Sequence, residues 1–143
     1  MSKQQKAFEE LKESLIQKPV LALPNDQGLV QLETNASDVA TCGVASQQQD
    51  DETWKLLGFI SKTLNGAERN YMTYDKEMLA IMRGIEEWRA LLLGVKDPFE
   101  IWTDHQNLVY YQDLKKLTRR QANWSSKLAD FDFKIWHVSG KSS

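Results

Sequence analysis

The sequence predicts an α/β domain: a mixed five-stranded sheet flanked by helices, with an extra N-terminal helix. Three observations lead there. Between residues 29 and 61, short apolar runs separated by polar turn clusters read as three strands joined by tight connections. From Thr73 to Leu93 the apolar period changes to that of a helix, with Met78, Ile81, Met82, Ile85, Trp88, Leu91 and Leu92 on one broad face. Two further strand-like runs follow, separated by more helix, so the helices must cover a sheet.

Taken in order, residues Lys3 to Gln17 place Phe8, Leu11, Leu15 and Ile16 at helical spacing, and Pro19 stops that helix. Pro24-Asn25-Asp26-Gln27-Gly28 is a turn cluster. Strands are expected at about 29–34, 41–47 and 54–61, with Gln48-Gln49-Asp50-Asp51-Glu52 as a solvated hairpin loop. Together they form an antiparallel meander. One helix then runs from about Thr73 to Leu93, ended by Gly94 and Pro98. Phe99 to Thr103 is a fourth strand, and His105 to Tyr111 a short helix. Arg119 to Phe131 is another helix, with Ala122, Trp124, Leu128 and Phe131 available for its inner face. Phe133 to Val138 alternates as a fifth strand. The chain divides into a lead-in helix and turn over residues 1–28 and one main domain over 29–143.

Composition narrows the function. At 143 residues and 41% hydrophobic, with five Trp, the chain is one folded domain with a sizeable core. No apolar segment reaches membrane-spanning length, so no membrane role is expected. Met1-Ser2-Lys3 opens without the apolar stretch of a signal peptide. Cys42 stands alone, so no disulfide can form within the chain. Both features point to an intracellular setting, cytoplasmic or nuclear. The formal net charge of −2 is wrong for a dedicated nucleic-acid binder, so such affinity must be local, weak or supplied by a neighbouring domain.

The chemistry gathers at three places. Leu29 to Ser37 is a strand that ends in a polar turn at Asn35, and Ile101-Trp102-Thr103-Asp104-His105 repeats the pattern with an acid. Glu77 enters the amphipathic helix. Two acids and a third polar position from distant segments suit a hard divalent cation, which takes several oxygen ligands. Glu77 could also serve only the helix dipole, and Asp104 only cap the next helix. His105 reads as a turn residue before a proton shuttle, and His137 as a polar strand residue. Lys115, Lys116, Arg119 and Arg120 are the dense basic run, either a solvated face or a phosphate contact. Asn35-Ala36-Ser37 and Asn123-Trp124-Ser125 match the glycosylation triplet, which is common by chance.

These motifs, in this order, resemble the ribonuclease H domain of reverse transcriptases from Ty3/gypsy-type LTR retrotransposons. The resemblance runs through Phe8-Glu9-Glu10-Leu11-Lys12, Lys18-Pro19-Val20-Leu21, Thr34-Asn35-Ala36-Ser37 and Ala67-Glu68-Arg69-Asn70-Tyr71. It continues in Glu77-Met78-Leu79-Ala80-Ile81, Trp88-Arg89, Thr103-Asp104-His105, Arg120-Gln121-Ala122-Asn123-Trp124, Phe131-Asp132-Phe133 and Ser139-Gly140. It implies an RNase H-like fold and a nuclease that hydrolyses the RNA of an RNA/DNA hybrid, using four carboxylates and two Mg²⁺ (or Mn²⁺) ions. It also implies a polymerase domain of the same polyprotein as partner. Carried over, the family's first Asp falls on Asn35, its Glu on Glu77 and its next Asp on Asp104. The last acid falls after the final strand, past Ser143. With Asn at the position that bridges both metals in the family, the chain is expected to be inactive or badly impaired. The alternative is a non-catalytic scaffold for hybrid binding or protein–protein interaction.

Overall fold

The computed structural model describes residues 21–25, 27–103 and 118–137. The expected lead-in helix, the short helix at 105–111, and Asp104, His105, Lys115 and Lys116 lie outside them. The elements are β1 (Val30–Ala36), β2 (Ala40–Gln48), β3 (Trp54–Thr63), α1 (Gly66–Arg69), α2 (Thr73–Glu87), α3 (Arg89–Gly94), β4 (Phe99–Thr103), α4 (Arg119–Leu128) and β5 (Phe133–His137). The sheet order is β3-β2-β1-β4-β5, antiparallel across β3, β2 and β1, then parallel from β1 to β4 and from β4 to β5. The mixed five-stranded sheet and its leading meander are therefore as the sequence predicts.

Chain order reverses direction across the sheet at β1: β2 and β3 build outward on one side, β4 and β5 on the other. Open sheets place their sites outside the carboxyl ends of strands at such a switch point. Here Thr34 of β1 and Thr103 of β4 are register partners, so the two parallel strands end side by side.

One face of the sheet makes the core. Val30 and Leu32 of β1, and Phe99 and Ile101 of β4, pack against Met78, Ile81 and Ile85 of α2 and Leu128 of α4. Phe99 is fully buried and meets Phe131 edge-on at 6.2 Å. Helix α2 comes close because Gly84 has no side chain: a Cβ there would sit 3.0 Å from Cδ2 and 3.1 Å from Cδ1 of buried Leu32. Gly84→Ala should gain about 1 kcal/mol of helix preference yet lose about 1–3 kcal/mol to overpacking. The expected result in urea titration is a net destabilisation of up to about 2 kcal/mol. A more stable variant would mean that α2 does not rest on Leu32.

Three expectations need correction. The single helix over Thr73–Leu93 is two helices that meet at Trp88 (φ −111°, ψ 27°). Helical bonds continue across the joint, Trp88 N–H to the Gly84 carbonyl and Leu92 N–H to the Trp88 carbonyl, so the chain kinks there and does not break. The indole of Trp88 lies against Gly58 and Gly43, where any Cβ would meet the ring within 3.4 and 3.8 Å, and apolar periodicity carries no sign of such a seat. Helix α4 ends at Leu128 instead of Phe131, and Ala122 is exposed. Its inner face is Gln121, Trp124 and Leu128, one helical stripe from which Ala122 is rotated by about 100°. Helix α1 is an addition to the expected elements. It is one turn long and held by a capping box, with Asn65 Oδ1 accepting from Glu68 N–H (2.8 Å) and Glu68 Oε1 from Asn65 N–H (2.9 Å).

Candidate active site

Strand β1 stops where a serine turn takes over. Ser37 Oγ accepts from the backbone N–H groups of Val39 (3.3 Å) and Ala40 (3.1 Å), and Ser37 N–H donates to the Ala40 carbonyl (2.8 Å). Alternation along an antiparallel pair then turns the N–H of Ala36 away from β2. Two side chains meet on that amide. Asn35 Oδ1 accepts from it at 2.8 Å and Glu77 Oε1 at 3.3 Å. Their oxygens can be no farther apart than those two distances end to end. The end of β1 and the first turns of α2, with Ala36 and Glu77 41 residues apart in sequence, thus supply two oxygens to one point.

The two differ in setting. Glu77 is buried, 4% exposed, whereas Asn35 is exposed. Lys76, next to Glu77, places its Nζ 3.7 Å from Asp38, a fully exposed partner. The donor chemistry, a carboxylate and a side-chain carbonyl, suits a hard dication in kind. It contains one negative charge at positions 35 and 77, where the resemblance implies two. No group of three His, Cys, Asp or Glu able to hold a metal occurs among the described residues.

A second cluster anchors the same helix two residues before Glu77. Asp75, 6% exposed, accepts from Arg120 Nη1 (3.0 Å) at Oδ2 and from Gln121 Nε2 (2.8 Å) at Oδ1. The Arg120 guanidinium also lies 3.8 Å above the Tyr71 ring, and Tyr71 meets Trp124 edge-on. Gln121 is itself positioned by a capping box with Thr118. Burial first, and the adjacent Asp75 carboxylate second, push the Tyr74 phenol above its ordinary value, so it stays neutral. Farther along α2, Arg83 donates to Thr41 Oγ1 of β2 (2.8 Å) and pairs with Glu68 of α1 (2.9 Å). The start of α2 is thereby bound to α4, and its middle to β2.

Of the sequence-predicted site residues, Asn35 and Glu77 come together on Ala36. Asp104 follows Thr103 directly but lies outside the described residues, as do Lys115 and Lys116. Arg119 and Arg120 open α4; Arg119 is exposed, and Arg120 is committed on one side to Asp75. Sequence reasoning missed Asp75 and Gln121. One signal existed: residues two apart on a helix do not share a face, so Asp75 cannot serve the same point as Glu77 and needs its own partner. Thr118-x-x-Gln121 is also a legible capping box.

Comparison with known proteins gives a consistent result. Residues 25–131 match the family described as the RNase H-like domain found in reverse transcriptase. The chain is 37% identical over 142 residues to the Transposon Tf2-3 polyprotein of Schizosaccharomyces pombe (strain 972 / ATCC 24843), and equally to Transposon Tf2-4 polyprotein. These matches cover 98% of this chain but 11% of each polyprotein, so the chain spans about a tenth of the length of its curated relatives. Native prototype foamy virus protease-reverse transcriptase has a similar fold, with a TM-score of 0.68 and 14% identity over 97% of this chain and 19% of that one. So does LC11-RNase H1 crystallised with an RNA/DNA hybrid, with a TM-score of 0.54 and 12% identity over 80% of this chain and 86% of that one. At such identities the structural likeness speaks for the fold alone.

Proposed function

The chain belongs to the RNase H-like domains found in reverse transcriptases, of the Ty3/gypsy retrotransposon type, and from that membership we propose that it is a hybrid-binding domain whose cleavage site is silenced at Asn35. The ancestral reaction is hydrolysis of RNA in an RNA/DNA hybrid. The observation that carries this reading is the meeting of Asn35 Oδ1 and Glu77 Oε1 on the Ala36 amide. It supports a reading in which an amide stands where the resemblance implies a second carboxylate.

Glu77, Asp104 and the carbonyl of Asn35 would hold the cations, Mg²⁺ or Mn²⁺. When bound, such ions activate a water and stabilise the leaving 3′ oxygen in an in-line displacement. The chain's own part is to hold Glu77. The Ala36 N–H fixes one carboxylate oxygen, and the Asp75 cluster fixes the helix turn that carries it. Asn35 keeps the size of an acid and one oxygen but lacks its charge, so it would hold a dication less well than an acid would.

Lys115, Lys116 and Arg119 would meet phosphates, with recognition by backbone shape and 2′-hydroxyls instead of sequence. Arg120 joins them only with the donors that Asp75 leaves it. The polymerase domain of the same polyprotein is the expected neighbour, within the cell. No helix among the described residues is long and apolar enough to cross a membrane.

Fluorescence anisotropy with a labelled hybrid tests the binding half of this reading. Changing Lys115, Lys116 and Arg119 together to Ala should weaken binding and flatten the salt dependence by roughly 0.7–0.9 in log–log slope for each phosphate no longer neutralised. Binding that is absent, or unaltered by these changes, would move the reading to a scaffold for protein–protein contact.

A further inference from the structure

We propose that Lys76 is a phosphate contact held ready at the end of β1, with Asp38 as its partner until a backbone phosphate of a bound hybrid displaces that acid. The inference deepens the reading above and rests on it, since that reading supplies the RNA/DNA hybrid as ligand. Lys55, Lys62, Lys96, Lys127 and Lys134 are exposed. Lys76 is buried, with its side chain 11% exposed, and it is the one buried lysine among the described residues. Its stem lies along the protein while its Nζ reaches Asp38, whose side chain is fully exposed, so the ammonium comes out at the surface.

The pair is loose. Nζ stands 3.7 Å from Asp38 Oδ1, against about 2.7–2.9 Å for a charge-assisted hydrogen bond. An ion pair with so exposed an acid contributes little. Ordering a lysine stem is costly in rotamer entropy, and here the fold has already ordered it. A cation whose stem is fixed and whose partner is easily exchanged is a preorganised donor. Its compact charge with three rotatable N–H groups suits a phosphate oxygen.

Position favours the same role. Lys76 and Glu77 are neighbours on α2, and both reach one turn: Glu77 the Ala36 N–H, Lys76 the Asp38 carboxylate two residues on. Adjacent helical residues point about 100° apart, so Lys76 stands beside the Ala36 amide and not on it. Met72, one turn earlier on the same stripe, and Val39, next to Asp38, are both exposed, so the approach is open. Asp38 repels a phosphate and competes for the ammonium. It is therefore a brake on binding, and removing it should release Lys76 to the ligand.

The test is fluorescence anisotropy with a labelled RNA/DNA hybrid over a salt series, without divalent cations. It compares the parent chain with Lys76→Met, Asp38→Asn, the double variant and Lys55→Met. Lys55 is in register with Gln47, itself opposite Val30, and so stands at the other end of the sheet. Lys76→Met keeps the stem and loses the charge; it should weaken binding several-fold and flatten the log–log salt slope by about 0.7–0.9, the share of one phosphate. Asp38→Asn should tighten binding several-fold in the parent and leave it unaltered in the Lys76→Met background. An equal gain in both backgrounds, or an equal loss in Lys55→Met, would be long-range charge alone and overturns the proposal. Asp38 is wholly exposed and can be changed without touching the core, so Asp38→Asn that brings no gain overturns it too, however Lys76→Met folds. A parent chain that binds no hybrid removes the reading above and this contact with it. Hybrid binding that ignores Lys76 removes this contact alone.

Discussion

Asn35→Asp is expected to raise Mg²⁺-dependent cleavage of the RNA strand in a labelled RNA/DNA hybrid by more than about 100-fold. Losing only an outer partner of a metal ligand costs about 10–100-fold in affinity or activity, and a charge within the ligand set should count for more. The substitution keeps the shape of the side chain and adds one negative charge beside Glu77, so the gain reads charge and not packing. The assay should run each form with and without an acidic segment appended after Ser143, because the resemblance implies a fourth acid after the final strand. Asn35→Asp combined with Glu77→Gln should fall back to the starting level, since the two oxygens meet on one amide. If Asn35→Asp binds hybrid as tightly as before and cuts no faster in any of these backgrounds, the proposed silencing at position 35 is overturned.

Arg120→Ala is expected to be the most damaging single change outside the hydrophobic core. It takes from the buried Asp75 carboxylate the cationic one of its two α4 partners, leaving Gln121, and removes the guanidinium from the face of Tyr71. Breaking a buried pair by deleting one partner costs about 3–5 kcal/mol, and the half-exposed guanidinium lowers this to about 2–3 kcal/mol here. At roughly 3–4 °C per kcal/mol for a chain of this size, Tm should drop by about 6–12 °C. Arg120→Lys should fall between, keeping the charge but losing the planar stack and the fork geometry. Asp75→Asn should be milder than Arg120→Ala, because it leaves no buried charge. Thermal melts of these variants and of the Arg120→Ala/Asp75→Asn pair give the coupling directly. Independent effects would mean that α2 and α4 are not joined through this pair.

The sheet was legible because its signals are local. Alternation and turn clusters marked β1, β2 and β3 to within two residues, and the change of period marked α2. The family resemblance implies one site for Asn35 and Glu77, and in the structure both side chains accept from the Ala36 N–H. The misses share a cause. Trp88 looks like one more apolar residue on a helical face, and its kink is set by two glycines on other strands. Asp75 looks like an ordinary acid in a first helical turn, and its partners come from more than forty residues away.

The element types, the mixed sheet, the family and the neutral amide at position 35 all follow from the order of residues, because periodicity and residue identity are properties of the chain read in a line. Which atoms meet at that position is a matter of packing. The fold turns the Ala36 N–H out of the β2 ladder, brings Glu77 and the Asn35 carbonyl onto it, and ties the turn carrying Glu77 to α4 through Asp75. Apart from the Asn35–Ala36 contact they join segments distant in sequence, and packing elsewhere is set where side chains meet backbone and ring: Gly84 on Leu32, Trp88 on Gly43 and Gly58, Arg120 on Tyr71.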